Sequence, residues 1–258
     1  MTARIEAKAR SFRALHEGEP FVIPNPWDAG SARVLEALGF RALSTTSSGF
    51  AFTLGRPDGG ATLDEVAEHV ARIDAATDLP VSVDLEDGHG DPAAAIALVA
   101  DAGAVGGSIE DWDGTRLYDL GKAVERVTAA VEAARALPFP FVLTARAENH
   151  IRGNPDLDDT ISRLRAYEAA GADVLYAPGL SSADEIQRVC DAVSKPVNVL
   201  ARPTLTVAEI VGAGAQRISV GGALTWTAVN AFVEAATAIR DRGDFSGLGT
   251  SPPREWLT

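Results

Sequence analysis

The sequence predicts an α/β fold, a (β/α)8 TIM barrel built as a single domain over residues 1–258. Three observations carry this. Apolar, β-branched runs alternate about eight times with alanine-rich helical stretches. The connections are short, and no linker or shift of composition divides the chain. Polar and charged residues gather at the C-terminal ends of the apolar runs, where a barrel carries its chemistry.

An amphipathic stretch to about Leu15 reads as a short helix ahead of the first strand. Strands are expected at 21–25, 42–47, 81–86, 105–110, 141–148, 174–177, 197–200 and 217–220. They are short and look buried, as parallel strands covered by helices do, and their interior positions read as apolar. Helices are expected at 29–38, 62–76, 92–102, 120–136, 157–170, 182–193, 207–213 and 223–240. Gly39, Gly103, Gly171 and Gly214 follow helices, where a left-handed residue ends the last turn. An open doubly wound sheet is the alternative. Against it, Asn25-Pro-Trp-Asp-Ala-Gly30 stands after the first strand in place of a glycine-rich phosphate loop.

With 46% hydrophobic and 23% charged residues, the chain can bury a full core. Its net charge of -13 argues against nucleic acid or an anionic membrane as partner. A small anionic substrate would therefore need local positive charge from a metal or an arginine. The lone Cys190 excludes an intramolecular disulfide and reads as a buried, inert thiol. The first residues lack the apolar core of a signal peptide, and no apolar run is long enough to span a bilayer. A cytoplasmic enzyme is expected.

The most informative segment is Val81-Ser-Val-Asp84-Leu-Glu86-Asp87-Gly-His89-Gly90. Side chains two apart in a strand project the same way, which would put Asp84 and Glu86 on one face. Converging carboxylates repel each other, and a hard cation such as Mg²⁺ relieves that repulsion. Glu110, from the next strand end, can point at the same ion. Solvated loop carboxylates are the other reading. Asp87 and Asp111 fall on the opposite alternation and suit supporting roles. Arg146 ends the fifth strand and offers either an anion-binding fork or a salt bridge to Glu148 or another carboxylate. Asp58 alone is a turn residue, and Ser47, Ser48 and Gly49 could offer N–H groups to an anion. His16, His69, His89 and His150 show no metal-binding spacing. Gly221-Gly222 suits either a phosphate or close packing.

In order and spacing, several motifs resemble the isocitrate lyase/phosphoenolpyruvate mutase superfamily over nearly the whole chain. They are Asn25-Pro-Trp-Asp-Ala-Gly-Ser-Ala32, Thr45-Thr-Ser-Ser-Gly49, Gly55-Arg-Pro-Asp58, Asp84-Leu-Glu-Asp-Gly-His-Gly90, Ile109-Glu-Asp111 and Thr144-Ala-Arg-Ala-Glu148. The resemblance implies a swapped eighth helix, a homo-oligomer (dimer or tetramer), Mg²⁺ with Mn²⁺ as substitute, and a small anionic 2-oxo acid substrate. It implies metal binding, directly or through water, by Asp84, Glu86 and Glu110, with Glu86 standing where many members have Asp. It places Asp58 near the reacting centre, the amides of Ser47 and Ser48 on the substrate anion with Gly49 beside them, and Arg146 on the substrate. Asn198, at the seventh strand, joins the expected substrate-binding group.

The loop after the fourth strand departs from the family. Lyases carry a cysteine there in a Lys-Cys-Gly-His-type motif, and this chain reads Glu110-Asp-Trp-Asp-Gly-Thr-Arg-Leu-Tyr-Asp119. The lysine and asparagine of the mutase loop are absent too, leaving Asp113, Arg116 and Tyr118 as polar candidates. The expected function is a Mg²⁺-dependent lyase that cleaves a C–C bond of an oxaloacetate-like 2-oxo acid or diacid through an enolate. Water or Tyr118 would supply the proton. Two alternatives are P–C chemistry of the phosphoenolpyruvate mutase or phosphonopyruvate hydrolase type, and a barrel that binds small anions without catalysis.

Overall fold

A computed structural model describes residues 3–251 and 253–256, so the ends of the expected 1–258 domain fall partly outside it. Its eight strands are β1 (Phe21–Ile23), β2 (Leu43–Ser44), β3 (Val81–Asp84), β4 (Gly106–Glu110), β5 (Val142–Arg146), β6 (Val174–Tyr176), β7 (Val197–Leu200) and β8 (Arg217–Ser219). All pair in parallel, in the order β1-β8-β7-β6-β5-β4-β3-β2. Between the two ends of that order, Ser44 N–H donates to Pro24 O at 3.1 Å, so the sheet curls into a nearly closed (β/α)8 barrel.

The helices are α1 (Ala3–Leu15), α2 (Ala29–Ala37), α3 (Ser47–Thr53), α4 (Leu63–Ala76), α5 (Pro92–Asp101), α6 (Leu120–Ala136), α7 (Leu157–Ala169), α8 (Ala183–Ala192), α9 (Val207–Gly212) and α10 (Ala223–Arg242). Capping boxes at Asp28, Thr62, Ser182 and Thr206 start four of them. Gly39, Gly103, Gly171 and Gly214 take φ values of 86°, 109°, 99° and 99°, as the left-handed helix ends require. Unforeseen is α3, where a strand through Ser47 was expected. The extended Thr46, two residues past β2, caps the helix by accepting from Gly49 N–H, so the chain turns into a helix too short to show periodicity.

The barrel interior also differs from the apolar run expected. The apolar strand residues, such as Val83, Leu143, Leu175, Val199 and Ile218, belong to clusters that include helix residues and face outward. Above the floor, Ser44, Ser82, Ser108, Asn198, Arg217 and Ser219 line a central cavity instead. Outward apolar residues made the runs look uniformly buried and hid this inner face.

The floor itself is apolar and closed by α1. Phe12 is fully buried among Phe21, Ile23, Ala42, Val105, Val142 and Val174. Gly106 makes room for it, since a Cβ there would stand 2.5 Å from Phe12 Cε1 and 2.9 Å from Val142 O. Buried Lys8 ties α1 to the end of α4 through Asp74 at 2.6 Å and Thr77 O at 2.8 Å. At the other end of the chain, α10 buries only Thr225 and Ala238 and leaves Trp226, Phe232 and Val233 exposed. Among the described residues, no helix is long and apolar enough to cross a membrane.

Gly106→Ala is expected to cost about 1–3 kcal/mol through overpacking, measured by urea unfolding. A second expectation concerns His16, which lies between the rings of Phe12 and Phe21 and 3.1 Å from Arg217 Nη1. Burial, then the Arg217 charge, lowers its pKa from 6.5 to about 3. The unfolded imidazole therefore takes up a proton at a higher pH than the folded one. Its contribution to stability is present above about pH 6.5 and is lost as pH falls toward 3. His16→Gln should lower the unfolding midpoint at pH 7 and flatten this part of the acid limb, read from midpoints at pH 7 and pH 4.

Candidate active site

The C-terminal ends of β3, β4 and β5 bring charged side chains to one place. Arg146 ends β5, and its Nη1 lies 2.8 Å from Asp84 Oδ1. Its Nη2 lies 2.9 Å from Glu110 Oε2 and 2.8 Å from Glu148 Oε1. Burial would lower the arginine's pKa, but Glu148, Glu110 and Asp84 outweigh it and hold the guanidinium charged. Of the two readings open for Arg146, the structure has the salt bridge, made to three carboxylates at once. The Tyr176 ring lies 5.2 Å from the same guanidinium.

Asp111 supports this cluster from behind. Its Oδ1 accepts from Glu148 N–H at 2.7 Å, and its Oδ2 takes the Tyr167 hydroxyl at 2.5 Å and Arg163 Nη1 at 2.9 Å. All of these groups are buried. Asp87, the other expected supporting residue, accepts from Tyr118 OH at 2.9 Å and from Arg126 Nη2 at 3.1 Å.

Glu86 reaches the mouth by a different route from the one its spacing suggested. The strand ends at Asp84, and Glu86 sits in the following turn at φ 52°, so strand alternation does not place it. Its N–H donates to Asp84 Oδ1 at 3.4 Å, and its carbonyl accepts from Glu110 N–H at 2.8 Å. Burial first, then Asp84, Asp58 and Asp87, pushes the Glu86 carboxyl up to about 7. For Glu110, burial joined by Glu148 and Asp84 outweighs Arg146 and Arg152 and pushes it up to about 8.

Two cavities share Ser47, Asp58 and Arg146 in their walls. The inner one, of about 180 Å³, also has Ser48, Asp84, Tyr176, Asn198 and Arg217. The outer one, of about 330 Å³, has Glu86, Glu110, Trp112 and Arg152. Arg152 and Trp112 escaped the sequence reading. The Arg152 guanidinium stacks 4.7 Å from the Trp112 ring, 3.3 Å from Glu148 Oε2 and 3.9 Å from Glu110 Oε1. Only contact between two loops far apart in the chain makes that pair visible.

Several expected site residues also make contacts within the protein. Ser47 N–H donates to Asp84 Oδ2 at 3.3 Å, and the Ser48 hydroxyl lies 3.2 Å from Thr46 Oγ1. Gly49 lines neither cavity. It is there for close packing, because a Cβ would stand 2.6 Å from Thr225 Oγ1 and 2.7 Å from Thr46 Cγ2. Gly222 is likewise tight, with Ser48 Oγ at 2.6 Å from where its Cβ would be. Tyr118 also stays outside both walls, with its hydroxyl on Asp87 and its ring 4.8 Å from the Arg126 guanidinium. These contacts anchor the loop after β4. Asn198 lies deep in the inner cavity, bonded to Ser219 and Arg217. Cys190 is on α8, its thiol pushed up to about 11 by burial and its Cβ against Gly214.

Among the described residues, no three His, Cys, Asp or Glu side chains form a group that could hold a metal ion. The expected grip by Asp84, Glu86 and Glu110 is not the arrangement found, because Arg146 bridges Asp84 and Glu110. The donor set is nonetheless all carboxylate oxygen, with two of its members raised first by burial and then by their acidic neighbours. That chemistry suits a hard dication which keeps part of its water.

The fold is an α/β barrel, and this cluster stands at the strand ends where enzymes of that fold carry their chemistry. Residues 12–240 match the family model for phosphoenolpyruvate phosphomutase. An uncharacterized protein of Mycobacterium tuberculosis is 36% identical over 90% of this chain and 89% of its own length. An oxaloacetate decarboxylase of a Bradyrhizobium strain is 31% identical over 91% of this chain and 85% of its own. The crystal structure of a Burkholderia cenocepacia protein, described only as a lyase/mutase, superposes with a TM-score of 0.95. It is 51% identical and covers 99% of this chain and 96% of that one. This chain belongs to the isocitrate lyase/phosphoenolpyruvate mutase superfamily, a group of lyases and mutases.

Asp111→Asn should weaken the buried Arg163 pair and cost about 3 kcal/mol, as removal of one partner of a buried pair does. Chemical denaturation of the purified variant checks this.

Proposed function

We propose that this chain is a Mg²⁺-dependent carbon–carbon lyase for a small 2-oxo acid or diacid of the oxaloacetate type. The observation that carries the reading is the cluster of Asp84, Glu110 and Glu148 around Arg146 in the walls of two adjoining cavities. Asp84, Glu86 and Glu110 would hold the ion, with water completing its contacts. When bound, Mg²⁺ or Mn²⁺ supplies positive charge to oxygens on which an enolate develops. Arg146 fixes the carboxylates around it and so sets where that charge can be placed. Asp58, common to both walls, holds water beside the reacting end of the substrate. Ser48 offers the hydroxyl at the start of α3 to the substrate anion.

Cleavage of the bond between the carbon α to the oxo group and the distal carboxylate releases CO₂ and leaves the electron pair on the enolate, which then takes a proton from water. Tyr118 is committed to Asp87, and the loop after β4 carries no thiol. Likeness to an oxaloacetate decarboxylase along most of both chains supports the substrate class. P–C chemistry is the second reading, favoured by the phosphomutase family model, although the mutase loop residues are absent. The exposed Trp226, Phe232 and Val233 of α10 support a homo-oligomer with that helix exchanged between copies.

A screen of 2-oxo diacids with Mg²⁺ tests the reading. Turnover that vanishes with chelator and falls at least about 10²-fold in Asp84→Ala is expected. Phosphonopyruvate turnover alone would select the second reading, and tight Mg²⁺-dependent oxalate binding with no turnover would select a binding barrel. Saturating Mg²⁺ should raise Tm by roughly 5–10 °C if it exceeds its Kd about 100-fold. Glu110→Gln should abolish that rise, as followed by differential scanning calorimetry.

A further inference from the structure

The inner cavity has two arginines in its wall, and they differ in one respect. Arg146 is matched by three carboxylates. Arg217 is 5% exposed, yet no carboxylate pairs with it among the described residues. Its Nε donates to Asn198 Oδ1 at 2.8 Å and its Nη2 to Thr144 Oγ1 at 2.9 Å. Its Nη1 lies 3.1 Å from His16 Nε2, an imidazole that stays neutral and serves as acceptor. All three partners are neutral, and a buried charge without an opposite charge is costly. The surrounding wall is hydroxyl-rich, with Ser44, Ser82, Ser108 and Ser219. Thr144 accepts from Arg217 and so keeps its own proton to donate.

We infer that Arg217, braced by Asn198 and Thr144, forms an anion subsite beneath the strand-end carboxylates, which takes the distal carboxylate of a compact diacid. The negative mouth repels a free anion, so the one unmatched cation in this wall is the attractive end of the cavity. Thr144 lies two residues below Arg146 on β5, which sets the two levels roughly 7 Å apart. That separation suits a four-carbon diacid with one end among the mouth groups and the other on Arg217. The orientation rests on the 2-oxo acid reading above, whereas the subsite itself does not.

The probes are succinate, butyrate and oxalate, titrated calorimetrically into the full-length protein with Mg²⁺. Succinate should bind at least about tenfold more tightly than butyrate, the value of one charge-assisted contact. Arg217→Gln should erase that preference and leave oxalate affinity unchanged, and Arg217→Lys should retain much of it. Arg217 Nε–H resonances in the wild-type protein should also shift with succinate and not with butyrate, which settles the question if Arg217→Gln does not fold. Equal binding of succinate and butyrate by the wild type, or a preference that survives Arg217→Gln, overturns the subsite. Loss of Mg²⁺-dependent oxalate binding with the succinate preference intact would instead overturn the enolate reading alone.

Discussion

The arrangement of the barrel mouth depends on one guanidinium. Asp84, Glu110 and Glu148 come from three neighbouring strand ends, and Arg146 touches all of them. Two carboxylates about 4 Å apart repel by on the order of 4 kcal/mol at an effective dielectric of 20. Three of them could not be held in a buried wall without a cation among them. One arginine does not neutralise three carboxylates, and Arg152 approaches Glu148 and Glu110 only from the edge. Burial first, and the neighbouring carboxylates after it, hold the Glu86 and Glu110 carboxyls above their ordinary range. A mouth so rich in carboxylates favours a further cation, which is the electrostatic basis of the proposed metal.

Behind the mouth, Asp111 converts packing into geometry. It receives Tyr167 and Arg163 from α7 and the Glu148 amide from the end of β5. The helix layer thereby fixes the backbone that carries Arg146 and Glu148. Catalytic barrels need such rigidity, because electrostatic stabilisation works only when charges are placed before the reaction begins.

The succession of helices was legible because it follows from apolar spacing, caps and C-terminal glycines, all local in the chain. The gathering of Asp84, Glu110 and Arg146 at neighbouring strand ends was legible as well, since strand ends are easily read. What escaped depends on three dimensions. Strand alternation could not place Glu86, because the chain leaves the sheet at Asp84 and turns through a left-handed residue. Tyr118 looked free in a polar loop, but Asp87 and Arg126 hold it from elements distant in sequence. Arg217 was hidden because Ile218 beside it packs outward, so the run read as an ordinary core strand.

The missing thiol narrows the chemistry more than it weakens it. In the loop after β4, Asp113 accepts from the N–H groups of Thr115 and Arg116, and Trp112 bridges to Leu117. A loop closed on itself this way presents Trp112 to the outer cavity and keeps Tyr118 on Asp87. A reaction that needs an acid delivered from this loop to one face of an enolate therefore lacks its donor. Decarboxylation needs no such donor, because its departing group is neutral CO₂ and the enolate can be protonated by water. In the proposed orientation a metal at the mouth would face the oxo end of the diacid, where the charge of the enolate develops. Under the proposed reading, loss of CO₂ asks only for that proton from water, whereas a retro-aldol cleavage also asks for a base to take the hydroxyl proton of its substrate.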